Sequence, residues 1–245
     1  MITLLLRLAG PLQSWGVQSR FTERDTGLEP SKSGIIGLLC TALGRPRHED
    51  LAYLTALKMG VRVDREGILK MDFHTAGGAH RRGDKYGVAK ADGSKPDTVI
   101  SRRYYLADAD FLVGLEGKEE LLKGLDAALS RPVWPPYLGR KAFVPGGPLG
   151  LGLVDLPMEQ ALRSYPWLAR TNREKARMLR QLDEGNCKLR LLLDAPFGST
   201  AEVRPDVPLS FAERRFSLRY VKTDFMDLTP EMIQEATHVS LPSAS

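Results

Sequence analysis

The sequence is poor in the residues that build metal centres and disulfide frameworks. Two cysteines, Cys40 and Cys187, occur in 245 residues, and they lie far apart in the chain. The histidines are equally scattered, and there are four of them: His48, His74, His80 and His238. Zinc ligands come at short regular spacings, and disulfide scaffolds carry many cysteines. The sequence therefore predicts no metal, no cofactor and a reduced, cytoplasmic location.

Long hydrophobic runs are also missing. A membrane helix needs about 20 consecutive apolar residues, and no segment approaches that length. The apolar start of the chain is short, lacks a basic leader and is interrupted by Arg7, which is not the pattern of a signal peptide. Because 42% of the residues are hydrophobic, the chain can still form a core. We expect no membrane contact.

Positive charge is present in excess. The net charge is +5, which suits a polyanionic partner without establishing one. Residues 77–103 hold five glycines and seven Arg or Lys against three Asp, a local excess of +4. A structureless loop of this length inside a domain is usually functional or disordered. With a strand predicted on either side, we expect a hairpin with a basic, flexible tip.

Residues 30–44 predict a helix with an unusual start. Ser31 and Ser33 are N-cap candidates, and apolar residues follow at helical spacing. Gly34 costs the helix about 1 kcal/mol relative to Ala, so something must approach its backbone closely. A helix start with free N–H groups suits phosphate, and Lys32 adds a cation. The alternative is an ordinary capped core helix, which is the interpretation that the stretch by itself favours.

The loop at residues 12–16 offers an amide, a hydroxyl and a large aromatic side chain. Trp15 can stack on a base, as aromatic residues do in sites for single-stranded nucleic acid. It can equally anchor the core, which is the more common role of a tryptophan in a folded domain.

The order of predicted elements up to Leu129 is strand, helix, strand, strand, strand, helix, with one long strand over residues 104–115. This order approximates a ferredoxin-like β-α-β-β-α-β unit within the α+β class. We expect residues 1–152 to form this domain and residues 153–245 to form a smaller region that contains β-strands. The elements predicted in that region are helices at 157–163 and 172–184 and strands at 188–193, 202–207 and 216–222.

Five blocks of the sequence together resemble one protein family, the CasD subunits of type I-E CRISPR Cascade complexes, which belong to the RAMP superfamily. The blocks are LRLAGPLQSWG (6–16), PSKSG (30–34), DFHT (72–75), YLADADF (105–111) and PYLGRK (136–141). The match runs from the first strand to about Gly152 and is less clear in the last third. Residues 77–103 correspond to the thumb of the family in position more than in sequence.

The resemblance implies a non-catalytic RNA-binding subunit with a ferredoxin-like core that serves in antiviral defence. Members of the family hold the 5′ handle of the CRISPR RNA at one end of the complex. Their thumb reaches toward the CasC backbone subunit, and they also contact the large CasA subunit and other Cascade subunits. We therefore expect these molecules as partners.

The resemblance also assigns roles to individual residues. Gln13, Ser14 and Trp15 would line the handle site, Ser31, Lys32, Ser33 and Gly34 would meet phosphates, and Arg140 and Lys141 would clamp the backbone. In the thumb we expect the guanidinium groups of Arg81, Arg82, Arg102 and Arg103 to bind phosphates. The remaining expected contacts are Gly16, Arg20, His74, Tyr137 and Gly139.

A rival hypothesis is a metal-independent endoribonuclease that cuts the CRISPR repeat, as a relative in another CRISPR subtype does. His74 or His80 would then act as a general base beside Tyr53, Lys70 or Lys85. General acid–base cleavage needs such groups within hydrogen-bond reach, and the sequence fixes no such trio. A third hypothesis, a generic basic binding module, leaves the joint matches unexplained.

Overall fold

A computed structural model describes residues 1–17, 22–77, 87–88, 97–185 and 187–235. Its strands are β1 (Ile2–Ala9), β2 (Leu12–Gln13), β3 (Glu23–Arg24), β4 (Lys58–Arg65), β5 (Ile68–Ala76), β6 (Val99–Ala107), β7 (Asp110–Gly117), β8 (Gly150–Val154), β9 (Lys188–Ala195), β10 (Glu202–Ser210) and β11 (Arg215–Asp227). Its helices are α1 (Lys32–Leu43), α2 (Ala52–Thr55), α3 (Glu119–Ser130), α4 (Met158–Ser164), α5 (Asn172–Glu184) and α6 (Pro230–Gln234).

The larger of two sheets has, within the described residues, seven strands in the order β10-β11-β9-β4-β7-β1-β8. All neighbouring strands in it are antiparallel. Four strands from the first part of the chain form the block β8-β1-β7-β4, and α1 and α3 pack together beside this block. The protein is thus a mixed α+β structure built mainly on antiparallel sheets.

The two faces of this sheet bury different sets of apolar side chains. Along β1, Leu4, Leu6 and Leu8 belong to the core under α1 and α3, whereas Leu5 points into the core under α4 and α6. This follows from the strand period of two, which sends successive side chains to opposite faces. The strand is buried on both sides, and it therefore reads as a continuous apolar run.

The smaller sheet is centred on β6. β5 runs antiparallel to it over its whole length, from Ile68 opposite Ala107 to Ala76 opposite Val99. On the other side of β6 lie β2, antiparallel, and β3, parallel, each two residues long. β5 and β6 flank residues 77–98, of which 77, 87–88 and 97–98 are described.

The prediction of one long strand over residues 104–115 is wrong. The segment forms two strands in two different sheets, β6 and β7, and the chain breaks between them at Asp108, where φ is 63°. Aspartate tolerates this left-handed conformation better than most residues. The Asp108 N–H donates to the carbonyl of Pro11, at 3.0 Å, and its carboxylate pairs with Arg65 and Arg170. These contacts come from three distant segments, so the local sequence did not reveal the break.

The region after residue 153 continues the same sheet. β9 pairs with β4 from Gly60 opposite Leu193 to Val63 opposite Arg190. The division of the chain near residue 152 stays a prediction, and the shared sheet joins the two parts through backbone hydrogen bonds. The sequence also predicts a short helix over residues 48–58, of which Ala52–Thr55 is helical in the structure. No helix in the described part of the chain is long and apolar enough to cross a membrane.

Candidate nucleic-acid interface

At the start of α1, the carboxylates of Asp194 and Asp206 bind the Lys32 side chain and the backbone of the first turn, and we call these two residues the acid cap. Ser31 caps the helix by accepting a hydrogen bond from the Gly34 N–H, at 3.2 Å. The Lys32 N–H donates to Asp206 Oδ2 (2.8 Å), and Lys32 Nζ donates to Asp194 Oδ2 (3.0 Å). The Lys32 side chain is only 8% exposed. A carboxylate of β10 therefore occupies the position that the sequence suggested for a phosphate.

This acid cap is held by a buried arginine. Arg219 donates through Nε and Nη2 to Asp206, at 2.6 and 2.8 Å, and through Nη1 to Asp194, at 2.5 Å. Burial alone would lower the pKa of the guanidinium, but the two carboxylates outweigh it and raise the pKa above its ordinary value. With Lys32 the group contains two cations and two anions. A direct phosphate contact by Lys32 does not fit this geometry, because its charge is already neutralised and buried.

Trp15 anchors the core. Its side chain is 1% exposed, and a Cβ built on Gly34 would lie 2.8 Å from the indole ring. Gly34 is thus the residue that lets the ring pack against the first turn of α1, which accounts for a glycine in that helix. Ser33, whose hydroxyl lies 3.2 Å from that of Ser31, belongs to the same turn. Base stacking on Trp15 would require the ring to leave the core.

Gln13 and Ser14 fasten the same loop to its neighbours. The Gln13 amide, which is completely buried, donates to the carbonyls of Leu8 (2.8 Å) and Ala109 (3.0 Å). The Ser14 hydroxyl donates to the carbonyl of Tyr104, at 3.2 Å. Both side chains are used inside the protein, so they position the loop. Gly16, at its exposed end, is accessible.

The turn around Gly139 docks against this loop. Ser14 N–H donates to the carbonyl of Leu138, and a Cβ on Gly139 would lie 1.6 Å from the Ser14 carbonyl oxygen. The backbone of Gly139 is also left-handed, with φ of 87°. Only glycine satisfies both conditions. Tyr137 is half-buried beside this turn, and Lys141 is exposed beyond it.

Three arginines meet where the turn crosses β3 and β6. Arg24 lies opposite Arg103 in the parallel ladder, and Arg140 Nη2 donates to the carbonyl of Arg24, at 3.1 Å. The Arg140 guanidinium also lies 5.7 Å from the centre of the Phe143 ring. Partial burial, followed by the positive charges of Arg103 and Arg24, lowers the pKa of Arg140. We call Arg24, Arg103 and Arg140 the arginine cluster.

The arginine cluster is less neutralised than the start of α1. Asp25 and Asp72 act on Arg140 in the opposite direction, but less strongly than the two arginines do. The other thumb arginine that can be placed, Arg102, pairs with Glu23 at 3.1 Å, and both side chains are at least half exposed. His74 lies on β5 with its Nδ1 3.8 Å from Asp72. Arg20, Arg81 and Arg82 lie outside the described residues.

The predicted contact residues thus differ in their accessibility in the structure. It brings Arg103 and Arg140 together and adds Arg24, which the sequence did not single out. A parallel bridge of two residues has no detectable periodicity, so no local signal marked Arg24. Among the described residues no group of His, Cys, Asp or Glu is arranged to hold a metal ion.

Comparison with known proteins identifies the family. Residues 3–222 match the model of the family described as CRISPR-associated protein (Cas_Cas5). The chain belongs to this CRISPR-associated family. It is 36% identical over 180 residues to the CRISPR system Cascade subunit CasD of Escherichia coli (strain K12), a match that spans 66% of this chain and 76% of that protein. The resemblance to CasD found in the sequence is thus confirmed.

Two solved structures are similar over nearly the whole chain. One is described as a CRISPR RNA-guided surveillance complex, and it has a TM-score of 0.76 and 38% identity, covering 92% of this chain and 90% of the other. The second is described as a crystal structure of a Cas protein, with a TM-score of 0.69 and 42% identity over 94% of this chain and 96% of the other. The similarity therefore includes the C-terminal region, where the sequence resemblance was less clear.

Proposed function

We propose that this chain is a non-catalytic, RNA-binding subunit of a CRISPR Cascade surveillance complex that holds the 5′ handle of the CRISPR RNA. The arginine cluster carries the proposal, because Arg24 and Arg103 lie opposite each other, Arg140 bonds to the backbone of Arg24, and Asp25 and Asp72 act on Arg140 less strongly than the two other arginines do. Guanidinium groups form charge-assisted hydrogen bonds with phosphate oxygens. The similarity to a CasD subunit supports this assignment.

The proposed ferredoxin-like core is supported by strand order. The block β8-β1-β7-β4, with α1 and α3 packed together beside it, has the order expected when two β-α-β units interleave. We propose that β5 and β6 form the base of the thumb, with the tip predicted from the sequence in the segment between them. We propose that the tip reaches the CasC backbone subunit and that the subunit also contacts CasA, within the cytoplasm.

RNA binding is tested with the arginine cluster. Arg24→Ala, Arg103→Ala and Arg140→Ala should each weaken binding of a synthetic 5′-handle RNA and reduce the slope of log affinity against log salt, because fewer counterions are released. Arg177→Ala is the control, since Arg177 is exposed on α5. Unchanged affinity and slope in all three variants would refute the proposal.

The thumb assignment has a separate test. Replacing residues 82–95 with a short Gly-Ser link should leave the fold intact, since loop length affects stability only weakly. It should lower the yield of CRISPR RNA and backbone subunits that co-purify with the chain. A yield equal to wild type would show that the segment is a tolerated insertion.

The nuclease hypothesis gains no support from the geometry. Lys70 and His74 lie four residues apart on the extended strand β5, which separates their backbones by roughly 13 Å. Tyr53 lies on α2, which packs against β10, while Lys85 and His80 lie outside the described residues. Incubation of labelled repeat RNA with the purified chain, with and without divalent metal, should yield no specific cut. A cut abolished by His74→Ala would favour the nuclease.

A further inference from the structure

A cavity of about 440 Å³ lies beside the end of β1, apart from the arginine cluster. This volume falls within the range of about 300–1,000 Å³ that small-molecule sites occupy. The residues that matter for its chemistry are Arg7, Pro11, Asp108, Gly147, Pro148 and Arg170. None of them is among the residues that the sequence predicted to contact RNA.

The charges around the cavity cancel. Arg7 pairs with Asp110 at 2.6 Å, and Arg170 pairs with both Asp108 and Asp110. Arg65, behind the cavity wall, pairs with Asp108 at 2.9 Å and also with Glu174. Arg7, Arg170 and Asp108 line the cavity, and the buried carboxylate of Asp110 pairs with both arginines, so two cations are matched by two anions. A phosphate would meet as much negative as positive charge here, so the cavity does not suit an anion.

The cavity wall does offer both donors and acceptors of hydrogen bonds. The side chain of Asp108 is 55% exposed and that of Arg170 is 28% exposed, so each retains accessible polar atoms. Burial would raise the pKa of Asp108, but Arg170 and Arg65 outweigh it and hold the pKa below its ordinary value. The carboxylate is therefore ionised at neutral pH and accepts hydrogen bonds only.

Apolar surface completes the wall. Pro11 and Pro148 contribute their rings, and Ala9 and Ala169 contribute methyl groups. A wall that combines apolar surface with a few polar groups of both kinds, and no net charge, suits a flat, neutral ligand with its own donors and acceptors. In RNA this description fits the bases. Proteins recognise bases of single-stranded RNA by unstacking them and forming hydrogen bonds with their edges.

We propose that this cavity binds one nucleobase, unstacked from the RNA that the arginine cluster holds by its phosphates. The inference rests on the proposed function. The two sites are built from the same chain segments. Residues 7–11 form one wall of the cavity, and Ser14, a few residues further along, bonds to the turn around Gly139. The Gly146 N–H donates to the carbonyl of Ala9, at 2.8 Å, and so joins the opposite wall to the same segment. Asp108 and Arg170 supply the groups that meet the edge of the base.

Gly147→Phe tests the proposal by filling the cavity. A Cβ built on Gly147 meets no atom within 4 Å, and its backbone is not in the left-handed region, so the substitution introduces a ring without backbone strain. Gly147→Ala leaves the cavity open. Gly124→Phe is the matched control, because a Cβ on Gly124, on the exposed side of α3, also meets no atom within 4 Å.

The measurement is the affinity for a synthetic 5′-handle RNA and for a series in which each nucleotide in turn is abasic. With wild type, one abasic position should cost about tenfold, the size of one or two net hydrogen bonds. The Gly147→Phe variant should bind the intact RNA more weakly than wild type by about the same factor. Removing the base at that position should weaken its binding no further. Its salt slope should equal that of wild type, since no phosphate contact is removed.

Three results would overturn the inference. One is a Gly147→Phe affinity equal to those of Gly147→Ala and Gly124→Phe, and another is a loss that is the same whichever base is missing. The third is a smaller salt slope in Gly147→Phe, which would assign the cavity to a phosphate. Gly147→Leu repeats the test with a smaller side chain if Gly147→Phe melts below wild type. Failure of the proposed function is distinct, because the arginine-cluster variants would then bind as wild type does.

Discussion

The start of α1 and the arginine cluster are two basic regions that differ in how far carboxylates neutralise them. Both contain features that suit phosphate: a helix N-terminus with Lys32 in one, and Arg24, Arg103 and Arg140 in the other. At α1, Asp194 and Asp206 neutralise the charge inside the protein. At the arginine cluster Asp25 and Asp72 act on Arg140 less strongly than Arg103 and Arg24 do. The comparison teaches that distant carboxylates, and not the basic residues themselves, decide which region is available to a polyanion.

The largest expected effect concerns the acid cap. Asp206→Ala removes the carboxylate that accepts two hydrogen bonds from buried Arg219 and leaves Asp194 as the one carboxylate of this group for two cations, Arg219 and Lys32. Breaking a buried pair in this way costs about 3–5 kcal/mol. Urea unfolding followed by circular dichroism measures it. Asp206→Asn, which keeps an acceptor for the Lys32 N–H, should lose less, and a loss below about 1 kcal/mol for Asp206→Ala would show that the cap is not structural.

A second effect concerns pH and the buried side of the same helix. Burial raises the pKa of Cys40 from 9.0 to about 11. Between these values the unfolded chain loses the thiol proton and the folded chain keeps it, so stability is present below pH 9 and falls as pH rises. At about 1.4 kcal/mol per pKa unit the loss approaches roughly 3 kcal/mol near pH 11. Unfolding curves from pH 8 to 11 should show this slope in wild type, and Cys40→Ala should lack that part of it.

A third effect separates stability from RNA binding. Lys32→Ala breaks the pair with Asp194 but leaves that carboxylate bonded to Arg219 and to the N–H of Met59, at 3.0 Å. We expect a loss of about 1–2 kcal/mol in unfolding free energy and no change in the salt slope of RNA binding. Lys32→Met, which keeps the aliphatic stem, is the control. A reduced salt slope with unchanged stability would reverse the assignment of Lys32.

The smallest effect on stability is expected in the arginine cluster. Arg140→Ala removes a half-buried cation that neighbouring arginines already disfavour, so the free energy of unfolding should change by less than about 0.5 kcal/mol. The salt slope of RNA binding should nevertheless fall by about one. Fluorescence anisotropy at several salt concentrations gives the slope. A large stability loss with an unchanged slope would make Arg140 a structural residue.

Much of the fold was predictable because its elements are locally patterned. α5 begins and ends where its sequence predicts, and α1 lies within a residue or two of expectation. The break at Asp108 was missed because Ala and Asp alternate over residues 107–110, a pattern that is compatible with an uninterrupted strand. Its cause is a set of contacts with Pro11, Arg65 and Arg170 that are far away in the chain.

The sequence by itself determined the family, the α+β class and the positions of most helices and strands, since short-range spacing and shared blocks carry that information. Only the tertiary structure decided which basic residues remain available. Burial of Trp15 against Gly34 and neutralisation of Lys32 by Asp194 depend on residues that meet only after folding. The convergence of Arg24, Arg103 and Arg140 depends on the same long-range packing. Charge and burial are properties of a surface, and a surface exists only once the chain has folded.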